Sequence, residues 1–222
     1  MDYKYSYDVD SIKCDPISNT FYRYELQILL KTATSDSKEA IVLMMNPSNA
    51  NGDTSDATTN QLLMCRKYNK FTIFNILPFS GQATELPEND ALLKQVKGKE
   101  DFLKTNHRKI INYINSNKNA DILFATGQFN RNCQRAVSLR EDIDKDILKM
   151  FYTEYNSICE FAFKELNDSN RIHVVSSCGK PIKNGLGRHP SRSAFDIQEA
   201  NFEESTKNSN LHYKLKVKNS PI

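Results

Sequence analysis

Polar residues stand at the ends of four short apolar runs in this 222-residue chain, and their types could orient a ligand. Asn46 follows the first run and Asn75 ends the second. Thr126 and Gly127 follow the third run, and His189 comes in the loop after the fourth. An asparagine amide both donates and accepts hydrogen bonds, and a histidine can do either. Each of these residues also suits an ordinary turn, so the pattern locates a site without naming its ligand.

The loop after the fourth run concentrates positive charge. Residues 179–192 have the sequence GKPIKNGLGRHPSR, in which the cations are Lys180, Lys183, Arg188 and Arg192. The whole chain has 30 Lys and Arg against 27 Asp and Glu, a net charge of +3 that does not by itself indicate a nucleic-acid binder. The loop predicts a contact surface for backbone phosphates, with a solvated surface loop as the alternative.

The apolar runs have the length of buried strands and alternate with helical patterns. The runs are residues 40–45, 71–76, 121–125 and 171–176. Apolar side chains recur at helical spacing over residues 103–114 and 143–166, and residues 56–68 are a plausible helix after the first run. This alternation predicts an α/β fold with a parallel sheet and helices on both faces.

We therefore expect a three-layer αβα sandwich around a central, mostly parallel four-stranded sheet. Residues 22–30 predict an N-terminal strand that pairs antiparallel with residues 40–45, and residues 213–217 predict a charged edge strand. The chain length favours a single domain over residues 1–222, with a core at about 22–195 and an extension at each end. Because parallel strands share one carboxyl edge, the four polar segments should meet in one crevice.

Cysteine usage and motif content limit the class of protein. The five cysteines are an odd number, lie far apart and form no C-x-x-C pair, which favours a reducing cytoplasm. The N-terminus has no apolar signal segment, and no run approaches the length of a membrane span. No spacing resembles a zinc site, and neither a phosphate-binding P-loop nor a dinucleotide fingerprint occurs. We expect no cofactor, no metal and no membrane partner.

Taken in order, five short segments resemble the motifs of the uracil-DNA glycosylase superfamily. They resemble more closely a bacterial domain-of-unknown-function family marked by an Asn-Pro-Ser-Thr-Ala motif, an Asp-Pro-Thr motif and a late His-Pro. The segments are MMNPSNA at 44–50, Asp-Ala-Thr at 56–58, Phe-Asn at 74–75, Thr-Gly at 126–127 and His-Pro-Ser at 189–191. The resemblance extends over about residues 22–193 and implies a uracil-DNA glycosylase-like fold.

The resemblance also implies roles for individual residues. Asn75 would bind the O4 and N3–H edge of an extruded uracil, with Pro47 and Phe79 beside the base. His189 would stabilise the charge that develops at O2, and Asn46 would orient the attacking water. The implied DNA-contacting residues are Ser48, Lys183, Arg188, Ser191 and Arg192.

Several departures from the superfamily pattern point to weak or absent catalysis. Asn46 stands where a carboxylate would activate water, and an amide cannot act as a general base. Asp53 or Asp56 could supply that carboxylate from the following loop. Residues 49–64 contain no aromatic residue to stack on the base, and Thr126 stands where the superfamily often has tryptophan.

Three functional hypotheses remain open from the sequence. The first is a DNA glycosylase acting on uracil or another modified base. The second is a catalytically impaired pseudoenzyme that holds DNA, single-stranded or uracil-containing, or a decoy that binds an acidic DNA-mimic inhibitor protein. The third is an α/β enzyme acting on a free nucleotide or another small molecule.

Overall fold

The computed structural model describes residues 5, 8–16, 22–47, 50–65, 67–80, 100–127, 143–177, 185–190, 195–205 and 210–218. Within these ranges the strands are β1 (Val9–Asp15), β2 (Glu25–Leu30), β3 (Glu39–Met44), β4 (Lys70–Asn75), β5 (Asp121–Phe124), β6 (Ile172–Ser177), β7 (Phe195–Glu204) and β8 (Tyr213–Val217). The helices are α1 (Ala57–Leu63), α2 (Glu100–Ser116) and α3 (Ile143–Leu166). Every one of the predicted strands and helices is present, with ends shifted by a few residues.

All the described strands join one mixed sheet, in the order β1-β2-β4-β3-β5-β6-β7-β8. The four central strands β4, β3, β5 and β6 run parallel, as predicted. Their register sets Met44 beside Asn75 and Leu43 beside Phe124. Antiparallel pairs extend this parallel centre on both sides. The α/β class is confirmed, but the sheet is wider than the sequence predicted.

The predicted partner of the N-terminal strand was wrong. We expected residues 22–30 to pair with residues 40–45, but β2 pairs antiparallel with β4, where Glu25 lies opposite Phe74. The reason is that β3 already has parallel neighbours on both sides, β4 and β5, so neither of its edges is open. The other edge of β2 pairs with β1, a strand that the sequence analysis did not identify.

The two faces of the sheet carry separate apolar cores. Alternate side chains of the central strands, such as Leu43 and Phe124, pack on one face against α2 and α3. Their neighbours, such as Val42 and Leu123, pack on the opposite face against apolar residues of α1. Near-continuous burial along the parallel strands follows from this coverage of both faces, and it explains why they are uniformly apolar in sequence.

The two ends of the chain add features that matter for the site. The edge strand β8 pairs with β7 and carries Lys214 and Lys216, which confirms the predicted charged edge. β7 itself was not predicted, because its sequence mixes polar and apolar residues and its side chains are only partly covered. In the part of the chain that the structure describes, no helix is long and apolar enough to cross a membrane.

Candidate functional site

The carboxyl ends of β4, β3 and β5 lie side by side, and main-chain hydrogen bonds continue between the residues that follow these strands. Ile76 donates its main-chain N–H to the Met44 oxygen at 2.8 Å, and Leu77 donates to the Met45 oxygen at 2.9 Å. Ala125 donates to the Leu43 oxygen at 2.9 Å. Strand spacing of about 4.8 Å places the first residues beyond these three strands within about 10 Å of one another. The predicted convergence of polar segments at one edge of the sheet is therefore observed for β4, β3 and β5.

Asn75, the last residue of β4, carries the most unusual side chain at this edge. It is fully buried, with an exposed fraction of 0%. Neither its Nδ2 donor nor its Oδ1 acceptor has a hydrogen-bond partner among the described residues. A buried amide without partners costs free energy, and nearly all buried polar groups in proteins are paired. This amide is therefore a candidate ligand-binding group rather than a structural one.

Asn106, on the buried face of α2, holds the Asn75 main chain in place. Its Nδ2 donates to the main-chain oxygen of Asn75 at 2.8 Å and to that of Ile76 at 3.2 Å. Its Oδ1 is buried and has no partner within the described part of the chain. Asn106 therefore supports the main chain at the end of β4, where the unpaired side-chain amide of Asn75 lies. The sequence carried a signal for Asn106, since it shares the helical face of Leu103 and Ile110.

Asn46 follows the neighbouring strand β3 and is also largely buried, at 9% exposed. Its Nδ2 donates to the oxygen of Pro47 at 3.1 Å, within its own loop. Pro47 is buried beside it. The local bond orients the Asn46 amide, as the turn interpretation of this motif predicted.

His189 lies beside the end of β5 because two glycines allow the chain to approach closely. Gly127 adopts φ +72°, and a Cβ there would lie 2.9 Å from the His189 Cβ. Gly187 passes over the last residue of β5, where an added Cβ would lie 1.9 Å from the Phe124 oxygen. The Gly127 N–H donates to the Gly187 oxygen at 2.9 Å. The loop that carries His189 is thus fitted onto the strand end that Thr126 and Gly127 continue.

Two further main-chain bonds fix this loop, residues 185–190. Arg188 donates to the Val175 oxygen of β6 at 2.7 Å, and Leu215 of β8 donates to the Gly185 oxygen at 3.0 Å. The Arg188 side chain is exposed, whereas His189 is only partly buried. The structure therefore places a cationic side chain on the surface next to the predicted His189 position.

The two carboxylates proposed from the sequence have different surroundings. Asp53 is exposed on the loop before α1. Asp56 is the N-cap of α1, and its Oδ1 accepts the Thr59 N–H at 2.7 Å. Among the residues that the structure describes, no group of His, Cys, Asp and Glu could hold a metal ion.

Phe79 lies in the apolar core and is 3% exposed, so its ring forms part of the packing beneath the loop. Its main chain forms an antiparallel bridge with Tyr22. Four of the predicted DNA-contacting residues lie outside the described residues, namely Ser48, Lys183, Ser191 and Arg192. Their roles stay predictions.

The sequence analysis missed Arg23, which is 6% exposed and lies beside the loops that follow β3 and β4. Its main-chain N–H donates to the Pro78 oxygen at 2.8 Å. Its Nη1 donates to the Ala50 oxygen. Burial lowers the pKa of the Arg23 guanidinium, an effect that Cys14 and Asp56 oppose. A lone arginine between Tyr22 and Tyr24 gave no motif that would single it out.

The opposite edge of the parallel sheet holds a compact charged cluster. The Asp121 carboxylate accepts the Tyr68 hydroxyl at 2.6 Å and lies 2.8 Å from the Lys38 Nζ and 3.3 Å from the Lys67 Nζ. His173 Nε2 lies 3.6 Å from the same carboxylate. These groups join the amino ends of the strands, away from the candidate site, and we assign them a structural role.

The chain is thus an α/β protein with a mixed sheet and a polar site at the carboxyl ends of its parallel strands. Residues 23–173 match the family described as "Protein of unknown function (DUF1643)". Since this range exceeds half of the 222 residues, the chain belongs to that family. The match includes Asn46 and Asn75 and ends before His189, and it confirms the predicted membership in a domain-of-unknown-function family. No curated protein and no solved structure matches the sequence.

Proposed function

We propose that this protein binds DNA and recognises a uracil-like base with the Asn75 amide, acting as a uracil-DNA glycosylase-like protein with weak or absent hydrolysis. The observation that carries this proposal is the buried Asn75 side chain, whose donor and acceptor both lack partners within the described residues. A pyrimidine edge that presents an adjacent oxygen and N–H would satisfy both atoms at once.

The proposed complex requires a change in the residues that cover Asn75. Its side chain is 0% exposed, so a base reaches the amide only when the neighbouring side chains or loops move apart. Binding energy from the base and its phosphates would offset the cost of that opening. We therefore expect slow association and a closed free protein.

Two further features support DNA as the ligand. The exposed Arg188 lies next to His189, where it can contact a phosphate while the histidine contacts the base. The order of the polar strand ends also agrees with the motif resemblance to the uracil-DNA glycosylase superfamily. A three-layer glycosylase-like arrangement belongs to this proposal as well, since α1 packs on one face of the sheet and α2 and α3 on the other.

Weak hydrolysis follows from what surrounds Asn46. An amide orients water without taking its proton, so the step lacks a general base. Asp56 accepts the Thr59 N–H as the N-cap of α1, and Asp53 is exposed on the loop before that helix. The site thus offers hydrogen-bonding groups for a base at Asn75, but an amide at Asn46 cannot act as a general base. This favours a binding role over rapid turnover.

The decisive experiment compares a single-stranded oligonucleotide carrying one uracil with the same strand carrying 2,4-difluorobenzene, an apolar isostere of the base. Fluorescence anisotropy should show that the natural protein binds the uracil strand roughly 10- to 30-fold more tightly, because two hydrogen bonds are added. Asn75→Leu should bind both strands equally. Asn201→Leu is the matched control, since Asn201 Oδ1 is also buried and unpaired in the described structure but lies on β7.

An abasic-site assay on the uracil strand measures any cleavage in the same samples. Equal affinity of the natural protein for uracil and the isostere would contradict the proposal. Retained preference in Asn75→Leu would place recognition at another residue. Rapid cleavage with multiple turnovers would replace the binding role by that of an ordinary glycosylase.

A further inference from the structure

Arg23 connects the two loops that leave the candidate site. Its main chain bonds to Pro78, three residues after Asn75, at a donor–acceptor distance of 2.8 Å. Its side chain bonds through Nη1 to the oxygen of Ala50, in the loop that begins with Asn46. The guanidinium therefore lies beside Ala50, a residue of the apolar core on the face of the sheet that packs against α1.

The Arg23 charge is buried and only partly compensated by the groups around it. The residue is 6% exposed, and its Nε is buried with no hydrogen-bond partner among the described residues. The Asp56 carboxylate acts on Arg23 through space and opposes the effect of burial, but no ion pair joins the two among the described residues. An unpaired buried charge is strongly destabilising, and removing one partner from a buried pair has the same effect. A buried guanidinium whose Nε has no partner points to a ligand that places a negative charge in direct contact with it.

The unpaired Arg23 atom is Nε, and its position on the guanidinium indicates which ligand groups could bind there. Nε is one half of the side-on edge of a guanidinium, the edge that binds two oxygens of one phosphate or carboxylate. The Ala50 oxygen occupies Nη1, so the bond that holds the loop does not use Nε. Arg23 can therefore hold the loop through Nη1 and donate hydrogen bonds to an oxyanion from its side-on edge at the same time.

We propose that Arg23 binds a phosphate group, and that this phosphate belongs to the nucleotide whose base contacts Asn75. The identity of the nucleotide rests on the proposed function, whereas the oxyanion site rests on Arg23 alone. The base-contacting amide and the guanidinium are joined through residues 75–78, a short distance along the chain. A nucleotide that contacts both would have its base at the end of β4 and its phosphate beside the loop after β3.

The test uses deoxyuridine 5′-monophosphate and deoxyuridine, which differ only by the phosphate. Calorimetric titration of the natural protein should give roughly 10- to 100-fold tighter binding of the monophosphate, the effect of a charge-assisted hydrogen-bonding pair. Arg23→Met should remove that difference. Arg108→Met is the matched control, because Arg108 is exposed on α2 and should leave the difference unchanged.

A second variant guards against loss of folding. Arg23→Lys keeps the positive charge and a donor for Ala50 but removes the side-on edge, so it should fold and still lose most of the phosphate preference. A third measurement needs no base: inorganic phosphate should raise the melting temperature of the natural protein more than that of either Arg23 variant. The variants correct for the general stabilisation that phosphate gives to proteins.

Equal phosphate preference in the natural protein and Arg23→Lys, or equal thermal response to inorganic phosphate, would overturn the inference. Those results would leave the proposed function intact if Asn75→Leu still loses its preference for uracil over the isostere. The opposite pattern, a phosphate response that depends on Arg23 without uracil recognition, would keep the oxyanion site and reject the base. Inorganic phosphate could raise the melting temperature through Arg23 while the monophosphate binds no more tightly than deoxyuridine. That result would assign the site to a free oxyanion and reject the proposal that the phosphate belongs to a nucleotide.

Discussion

The side-chain Nδ2 of Asn106 lies 2.8 Å from the main-chain oxygen of Asn75, so one buried asparagine supports the backbone of another. The Asn106 side-chain Nδ2 thus has a structural role, whereas the side-chain amide of Asn75 has no hydrogen-bond partner in the described residues. Two residues of the same type, in contact and both buried, thus have opposite energetic roles. This difference makes their roles experimentally separable.

Asn75→Leu should raise the free energy of unfolding by about 1–3 kcal/mol, because a nearly isosteric apolar side chain removes two unpaired polar atoms from the interior. Asn106→Leu should lower it by a similar amount, since the oxygens of Asn75 and Ile76 lose their donor. Urea unfolding followed by circular dichroism measures both. A loss of stability in Asn75→Leu would mean that its amide is structural, contrary to the proposed function.

Gly187→Ala should destabilise the fold by at least about 1–3 kcal/mol and displace His189. The added Cβ would lie 1.9 Å from the Phe124 oxygen, which is part of a buried strand and cannot move freely. Thermal unfolding measures the loss of stability, and the His189 ring resonances report its displacement. Gly52→Ala is the control, since its Cβ would meet an atom only at 3.9 Å and should change stability by less than about 0.5 kcal/mol.

Asn46→Asp should increase any cleavage of uracil-containing DNA by up to about 100-fold, because a carboxylate can act as the general base that the amide cannot. The new carboxylate would lie near the Pro47 oxygen, which now accepts a hydrogen bond from Asn46 Nδ2, and the loss of that bond should raise its pKa. Single-turnover abasic-site assays measure the rate. His189→Ala in the same background should remove the gain; a gain that survives it would show that His189 takes no part.

The protein should lose stability as the pH falls, in two stages set by the cluster around Asp121. Burial lowers the pKa of His173 below its ordinary value of 6.5, so the folded state disfavours protonation and stability declines as the pH falls below about 6.5. Burial alone would raise the pKa of Asp121, but bonds from Lys38 and Tyr68 outweigh it and hold the pKa below 3.8. A second loss therefore follows below about pH 3.8.

Chemical unfolding at a series of pH values measures both stages. His173→Gln should flatten the curve between pH 6.5 and the onset of the acid loss, and the exposed His212→Gln should not. Unchanged pH dependence in His173→Gln would assign the first stage to other groups.

Arg188→Ala should weaken binding to single-stranded DNA at all sequences and reduce the slope of log affinity against log salt by about 0.7, the value for one released counterion. Arg188 is exposed next to His189, and the alanine variant keeps the main-chain bond from residue 188 to the Val175 oxygen. Lys118→Ala is the control, because Lys118 is exposed in the turn before β5, at the opposite edge of the parallel strands. An identical salt slope in both variants would remove Arg188 from the DNA surface.

Periodicity predicted the four parallel strands and their helices because burial on both faces imposes continuous apolar runs. It did not reveal β1 or β7, whose side chains are partly exposed and mix polar with apolar types. Nor could it assign the partner of β2, since the order of strands depends on which sheet edges remain open.

The sequence likewise identified some residues of the candidate site and missed others. Strand-end position identified Asn46, Asn75 and the Thr126–Gly127 turn, because a parallel topology fixes where strand ends meet. The sequence could not predict which side-chain amides have hydrogen-bond partners. Nothing in it distinguishes Asn75, whose amide has none in the described residues, from Asn106, whose Nδ2 is bonded. Arg23 was missed for a related reason, since its burial depends on loops that are distant in sequence.

The bond from Leu215 to Gly185 determines how much of the chain an experiment must retain. A recombinant fragment trimmed to the family match would end at residue 173 and would omit both the His189 loop and the strand that anchors it. Even a fragment extended to residue 190 would omit β8 and leave Gly185 without that support. Affinity tags are therefore better placed at the amino end, and activity measured on a carboxyl-truncated fragment would describe a different molecule.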